Sequence, residues 1–224
     1  MNTGPTHVVV FDLDDTLYLE RDYVASGFAA AGRYAAHRHG IDGLEAAACS
    51  AFEAGRRGDI FDVALTALGF EVQAPVVVGL IRAYRNHRPQ IRLAPDAADW
   101  LTRVPPGTAL ALLTDGNAIS QSNKVAALGL TRYGFRPVVI TARLGRGRGK
   151  PHPLGYNMIE KAYRLPPERF TYVADNATKD FLAPRRMGWH TVQIVRPERL
   201  HQQPAPDRAH EADTQIGTLA ELRR

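Results

Sequence analysis

Apolar and polar positions fall in blocks along this chain, and the blocks predict alternating strands and helices. Residues 8–11, Val-Val-Val-Phe, are an unbroken β-branched and aromatic run that reads as a strand buried on both faces. Apolar runs at 108–113, 138–141, 170–174 and 191–195 predict further strands, and helical spacing recurs over 119–128, 153–163 and 179–187. A short last strand and helix are expected over 214–222, after a proline-containing surface loop at 196–213. Strands separated by helices predict an α/β fold with a parallel sheet covered on both faces.

One region breaks the alternation. Residues 20–39, with Tyr23, Val24, Phe28 and Ala31 at helical spacing, are followed by helical patterns at 43–57, 60–68 and 75–87, with no strand signal between them. A further helix at 96–104, closed by Pro105-Pro106-Gly107, leads back to the second strand. The expected organisation is a core from 1–17 and 92–224, interrupted by a small all-helical domain at 18–91.

The polar exceptions gather where predicted strands end, which is where open α/β sheets hold their ligands. Asp12, Asp14 and Asp15 follow the first strand; Thr114, Asp115 and Gly116 end the second; a basic glycine-rich loop after the third reaches Lys150; Asp175 ends the fourth, with Asp180 five residues on. Extended-chain alternation sends Asp12 and Asp14 to one side. Two carboxylates so close repel unless a cation lies between them or one keeps its proton, which suggests a metal or acid/base site. The alternative for either acid is a capping or turn aspartate, and that is the reading preferred for Asp15.

Asp12-Leu13-Asp14-Asp15-Thr16 after an apolar strand resembles the first motif of the haloacid dehalogenase-like (HAD) hydrolases. Thr114, Lys150-Pro151 and the Asp175/Asp180 pair resemble the later three motifs, in order. The resemblance implies a Rossmann-like core with a helical cap inserted after the first motif. It implies Asp12 as nucleophile and Asp14 as general acid and base, with Thr114, Asp115, Gly116 and Lys150 around the phosphoryl group. It also implies Mg²⁺ on Asp12, Asp175 and the Asp14 carbonyl, with Asp180 in support; such hard oxygen donors suit Mg²⁺ better than zinc. Ala174 stands where the family usually has Gly, and Asp115 where many relatives carry Asn. Because dehalogenases need no acid for a departing halide, Asp14 favours a phosphatase acting on a small phosphate monoester, a sugar phosphate or nucleotide among the options. A phosphomutase and a non-catalytic binding protein are the alternatives.

Composition changes this picture little. At 224 residues, 45% hydrophobic and 23% charged, the chain is of ordinary globular make-up, and no membrane partner is expected. Residues 1–7 lack the pattern of a signal peptide, and the single Cys49, read as a half-buried helix residue, suits a reducing cytoplasm. The net charge of +5 comes without a nucleic-acid motif, so anionic small substrates are the expected partners. Arg143, Arg146 and Arg148 read as a solvated loop and His152 as structural. Tyr18, Glu20, Arg21 and Tyr23 are candidate specificity residues, and Arg82, Arg85 and Arg88 are read as one solvated helix face.

Overall fold

β1 (His7–Phe11) lies at the centre of a parallel sheet because every side chain from Val8 to Phe11 is apolar and buried. The computed structural model describes residues 4–223; part of the segment read for a signal peptide lies outside it. Beside β1 are β2 (Thr108–Thr114) and β4 (Phe170–Ala174), and outside them β3 (Val138–Ile140), β5 (His190–Ile194) and β6 (Thr214–Ile216). The order β3-β2-β1-β4-β5-β6 places β1 where successive connections change direction, so a crevice opens at the carboxyl ends of β1 and β4. In register, Val10 pairs with Ala111 and Tyr172, and Phe11 with Leu112 and Val173.

Alternate residues serve the two faces. Val8, Val10, Ala111, Leu113, Phe170 and Tyr172 pack with Tyr156 of α7 (Leu154–Tyr163) and with Trp189, which stacks on Phe170 at 4.6 Å between ring centres. On the other face Phe11 meets Trp100 of α5 (Pro95–Thr102) at 5.3 Å and Phe135 at 6.0 Å. The remaining core helices are α6 (Ala118–Ala127) and α8 (Leu182–Arg186).

The chain divides into two compact units, Met1–Glu20 with Arg92–Arg224, and Arg21–Ile91. The second is all helix: α1 (Glu20–His39, beginning at the boundary), α2 (Leu44–Glu53), α3 (Ile60–Ala67) and α4 (Ala74–Asn86). Its interior is aromatic, with Phe28 edge-on to Phe52 and Phe61, each at 6.0 Å. Tyr23 is buried against Tyr84 and His87, Arg21 pairs loosely with Glu53 at 3.8 Å, and Cys49 is half-buried on α2. α4 ends at Asn86, so Arg88 falls beyond it and does not share a helix face with Arg82 and Arg85, although all three are exposed.

Other expected boundaries shift too, α2 ending at Glu53 rather than 57 among them. β3 stops at Ile140, because Thr141 enters a 3-10 turn and gives its hydroxyl to Asp115. α8 starts at Leu182 rather than 179, since Asn176 and Asp180 hold the preceding residues in turns. The last helix is a single 3-10 turn over Leu219–Glu221. Among the described residues no helix is long and apolar enough to cross a membrane.

Candidate active site

β1 ends at Phe11, so strand alternation does not extend to Asp14; the two carboxylates are separated instead by the elements that reach them. Asp12 continues the ladder with its backbone N–H on Val173 O at 2.9 Å, and its Oδ1 accepts from Lys150 Nζ at 2.7 Å. Lys150 also meets Asp180 Oδ1 at 2.6 Å and the Tyr172 hydroxyl at 3.1 Å, and its side chain is wholly buried. An ammonium shared by two carboxylates is stabilised in its charged form, so Lys150 stays well above the ordinary lysine range despite burial. Burial raises Asp12 to about 6, with Lys150 opposing the rise.

Asp14 faces a different set of donors. Lys124 Nζ approaches Oδ1 at 2.6 Å, Gln121 Nε2 approaches Oδ2 at 2.8 Å, and the buried Tyr18 hydroxyl donates to Oδ1. Burial alone would raise this carboxyl, but the charge and hydrogen bond of Lys124, with the hydrogen bonds of Tyr18 and Gln121, hold it below the usual range. Asp15, the third acid, has φ of 52° and accepts Glu20 N–H at 2.8 Å and Leu200 N–H at 2.7 Å. It fastens the turn before α1 to the loop after β5, as a capping aspartate does.

Thr114 is the last residue of β2, and its Oγ1 accepts from Gln121 Nε2 at 2.6 Å. Gly116 has φ of +123°, a conformation that glycine alone adopts readily. Asn117 caps α6 by accepting the N–H groups of Ile119 and Ser120. The Asp115 carboxylate, placed by the sequence reading among the substrate contacts, is engaged by protein: Thr141 Oγ1 at 2.7 Å, Lys150 N–H at 3.1 Å and Lys179 Nζ at 3.4 Å. Lys150, Lys179 and these hydrogen bonds outweigh burial and keep it ionised. Its side chain therefore ties the loop carrying Lys150 to the end of β2, which leaves main-chain atoms as its means of meeting a substrate. In the basic loop, Arg143 donates to the Ser122 hydroxyl, and Arg148 lies against His152, whose Nδ1 accepts from Leu154 N–H at the start of α7.

Carboxylate oxygens of Asp12, Asp175 and Asp180 lie within 4.8 Å of one another, all buried, while the Asp14 side chain stands outside this cluster. Asp180 has both oxygens occupied, Oδ1 by Lys150 and Tyr172 and Oδ2 by Asn176 N–H at 3.0 Å. Asp175 Oδ2 is buried with no hydrogen-bond partner, and burial followed by the charges of Asp180 and Asp12 pushes this carboxyl up to about 9. A buried orphan oxygen beside another carboxylate is the arrangement a hard divalent cation resolves. The donor set thus fits such an ion on Asp12 and Asp175, with Asp180 braced behind them.

Sequence reasoning missed Gln121, Lys124, Tyr172 and Lys179. The available signal was a glutamine and a lysine three apart on a helix that opens at a strand end, which places both on one face.

A family model described as haloacid dehalogenase-like hydrolase matches residues 6–188. Over 147 residues the chain is 32% identical to a phosphoserine phosphatase of Thermus thermophilus, covering 64% of this chain and 55% of that protein. It is 28% identical over 200 residues to a glyceraldehyde 3-phosphate phosphatase of Methanocaldococcus jannaschii, covering 84% of each. Among solved structures, the HAD-hydrolase YfnB of Bacillus subtilis superimposes with a TM-score of 0.65 at 20% identity, over 97% of this chain and 96% of that one. A 2-haloacid dehalogenase of Pseudomonas syringae gives 0.63 at 20% identity, over 96% and 95%. The order of strands, the inserted helices and the buried acids at the sheet's carboxyl edge agree with these matches, and the chain belongs to the haloacid dehalogenase-like hydrolases.

Proposed function

We propose that this protein is a cytoplasmic Mg²⁺-dependent phosphatase that hydrolyses a small phosphate monoester through an aspartyl-phosphate on Asp12. The observation that carries the reading is that two acids on one loop are held apart electrically, Asp12 on Lys150 and Asp14 on Lys124. A nucleophile and a proton carrier need such separate settings, and an alkoxide leaving group needs the proton carrier where a halide does not.

Asp12 attacks phosphorus in line with the departing oxygen, using an oxygen left open by Lys150. The Lys150 ammonium, the Thr114 hydroxyl and the backbone N–H groups that follow it hold the phosphoryl oxygens. Bound to Asp12, Asp175 and the Asp14 carbonyl, Mg²⁺ would neutralise phosphoryl charge and fix its orientation. Asp14 gives a proton to the leaving alkoxide, then takes one from the water that attacks the aspartyl-phosphate. In the free protein Asp14 is the carboxylate that the second step requires; a phosphate dianion alongside it raises its proton affinity for the first. The likeness to two phosphatases of small metabolites supports a substrate of that class.

The test is a broad panel of phosphate monoesters with purified protein and Mg²⁺, following free phosphate and the mass of acid-quenched enzyme. Release of phosphate from at least one metabolite, with one phosphoryl group per chain trapped on Asp12, is the expected result. Phosphate release that survives Asp12→Asn would overturn it.

A further inference from the structure

α6 sends two buried polar side chains, Gln121 and Lys124, one turn apart to the carboxyl edge of the sheet. Gln121 is 1% exposed, and its Nε2 lies 2.8 Å from Asp14 Oδ2, 2.6 Å from Thr114 Oγ1 and 2.7 Å from Asp115 O. A carboxylate and a backbone carbonyl only accept, so the atom facing them is the amide nitrogen rather than the oxygen. The amide has two protons for these three oxygens and no lone pair on nitrogen to accept with, so they share its N–H groups and Thr114 Oγ1, the nearest at 2.6 Å, can only accept from it. Its own proton is left for another acceptor, and among the described residues the one protein oxygen it reaches is Asp115 O, at a long 3.3 Å.

We infer that Gln121 is a positioning residue: by donating to Thr114 it turns that hydroxyl's proton outward to the phosphoryl oxygen, and by the same amide it orients Asp14. A hydroxyl can meet a phosphoryl oxygen, which only accepts, when its proton is not drawn inward. Were residue 121 an acceptor, Thr114 would donate to it and present a lone pair to the substrate instead. Gly116 belongs to the same device. A Cβ there would lie 3.2 Å from Gln121 Cδ and 3.3 Å from Cγ, so the turn at φ +123° leaves room for the amide as well as for the backbone reversal. Lys124 takes the other oxygen of Asp14. One helix thereby sets a group from the end of β2 and a group from the loop after β1 in a common orientation.

This inference rests on the phosphatase reading for its catalytic part, but oxyanion binding tests it separately. Gln121→Met and Gln121→Glu are each made alone and with Thr114→Val, and thermal unfolding is followed to select folded variants. The two readouts are the Kd for orthovanadate with Mg²⁺ and kcat/KM for p-nitrophenyl phosphate. Gln121→Met is expected to weaken vanadate about tenfold and lower kcat/KM about tenfold to a hundredfold, less than loss of a donor that touches the transition state. In the Thr114→Val background it should weaken vanadate by less than about threefold, because the hydroxyl it orients is gone. If Gln121→Met does not fold, Gln121→Glu decides the question. Its added charge acts in both backgrounds, so the expected sign is a loss of vanadate affinity at least about fivefold larger with Thr114 intact than in the Thr114→Val background. Equal losses in the two backgrounds, an affinity within about threefold of wild type, or a wild type that binds no vanadate would each overturn the inference. A wild type that binds vanadate but hydrolyses no ester would remove the phosphatase reading and leave the vanadate cycle to judge Gln121.

Discussion

Two lysine–aspartate pairs, one buried and one partly buried, stand at the end of β1, and they are built differently. Lys150 is shared by Asp12 and Asp180, with the unpartnered Oδ2 of Asp175 beside them, so carboxylates outnumber the cation they share. Lys124 serves Asp14, which has two further donors in Tyr18 and Gln121. Both aspartates lie by a lysine at 2.6 to 2.7 Å, with side chains 6% exposed for Asp12 and 19% for Asp14, yet burial lifts Asp12 to about 6 while the donors around Asp14 hold it below the ordinary range. Proton affinity is thus decided by the donors and competing acids around each carboxylate together with its burial, not by its place in the motif.

The largest effect should come from cutting the comparison at its nucleophile. Asp12→Asn is expected to lower turnover by at least about 10⁴-fold for every ester and to prevent any phosphorylated enzyme. Asp14→Asn should differ in kind: with p-nitrophenyl phosphate a stoichiometric burst of phenolate persists, and the phosphoenzyme accumulates for want of a base. Rapid-quench mass measurement checks both; a burst from Asp12→Asn, or none from folded Asp14→Asn, breaks the division of roles. Chelation should likewise abolish turnover, and Zn²⁺ should restore it poorly; full activity in chelator would remove the metal from the mechanism.

The lysines come next. Lys150→Ala should lower kcat by about 10² to 10³-fold, the range for loss of one transition-state donor. Arg148→Ala, which removes an exposed partner of His152, should stay within about threefold. Steady-state kinetics on the two variants decide whether the loop's lysine or its arginine supplies the charge.

Smaller and more diagnostic is the pH dependence of the metal-free fold. Asp12 and Asp175 have folded pKa values raised to about 6 and about 9, so above the unfolded carboxylate range the folded state binds more protons than the unfolded one. Stability of the metal-free protein should therefore fall as pH rises from about 4 toward 9, and added Mg²⁺ should offset the fall most at the alkaline end. Thermal unfolding with chelator and with Mg²⁺ across that range reads it. A flat difference between the two curves would mean the acids are not the ligands.

The smallest effect lies outside the site. Asp96 accepts Leu219 N–H and pairs with Arg196, whose guanidinium also donates to Thr16 O, and these contacts lower its pKa against the push of partial burial. Its contribution to stability is complete at neutral pH and is lost as pH falls through the depressed folded value. Asp96→Asn should cost about 1 kcal/mol at neutral pH and flatten the acid limb of the melting curve. An unchanged acid limb would show that Arg196 holds the loop without it.

How far the sequence reached differs between the two kinds of information it carries. Local patterns are written in neighbouring residues: apolar runs of four to six positions locate strands, and helical spacing locates α1 over Glu20–His39. Strand ends in turn located Asp12, Thr114, Lys150 and Asp175, because a parallel sheet brings every carboxyl end to one edge. Partners are another matter. That Asp14 turns to Lys124 and Gln121, that the Asp115 carboxylate belongs to Thr141, Lys150 and Lys179, and that Tyr172 stands between Lys150 and Asp180 depend on contacts between elements distant in sequence. Burial makes each of those choices costly to leave unpaired, but which donor arrives is set by how α6 and the loop after β3 pack on the sheet. The sequence by itself determined the fold and the acids at its edge; the tertiary structure decided which acid each cation holds, and with that which carboxylate keeps its charge.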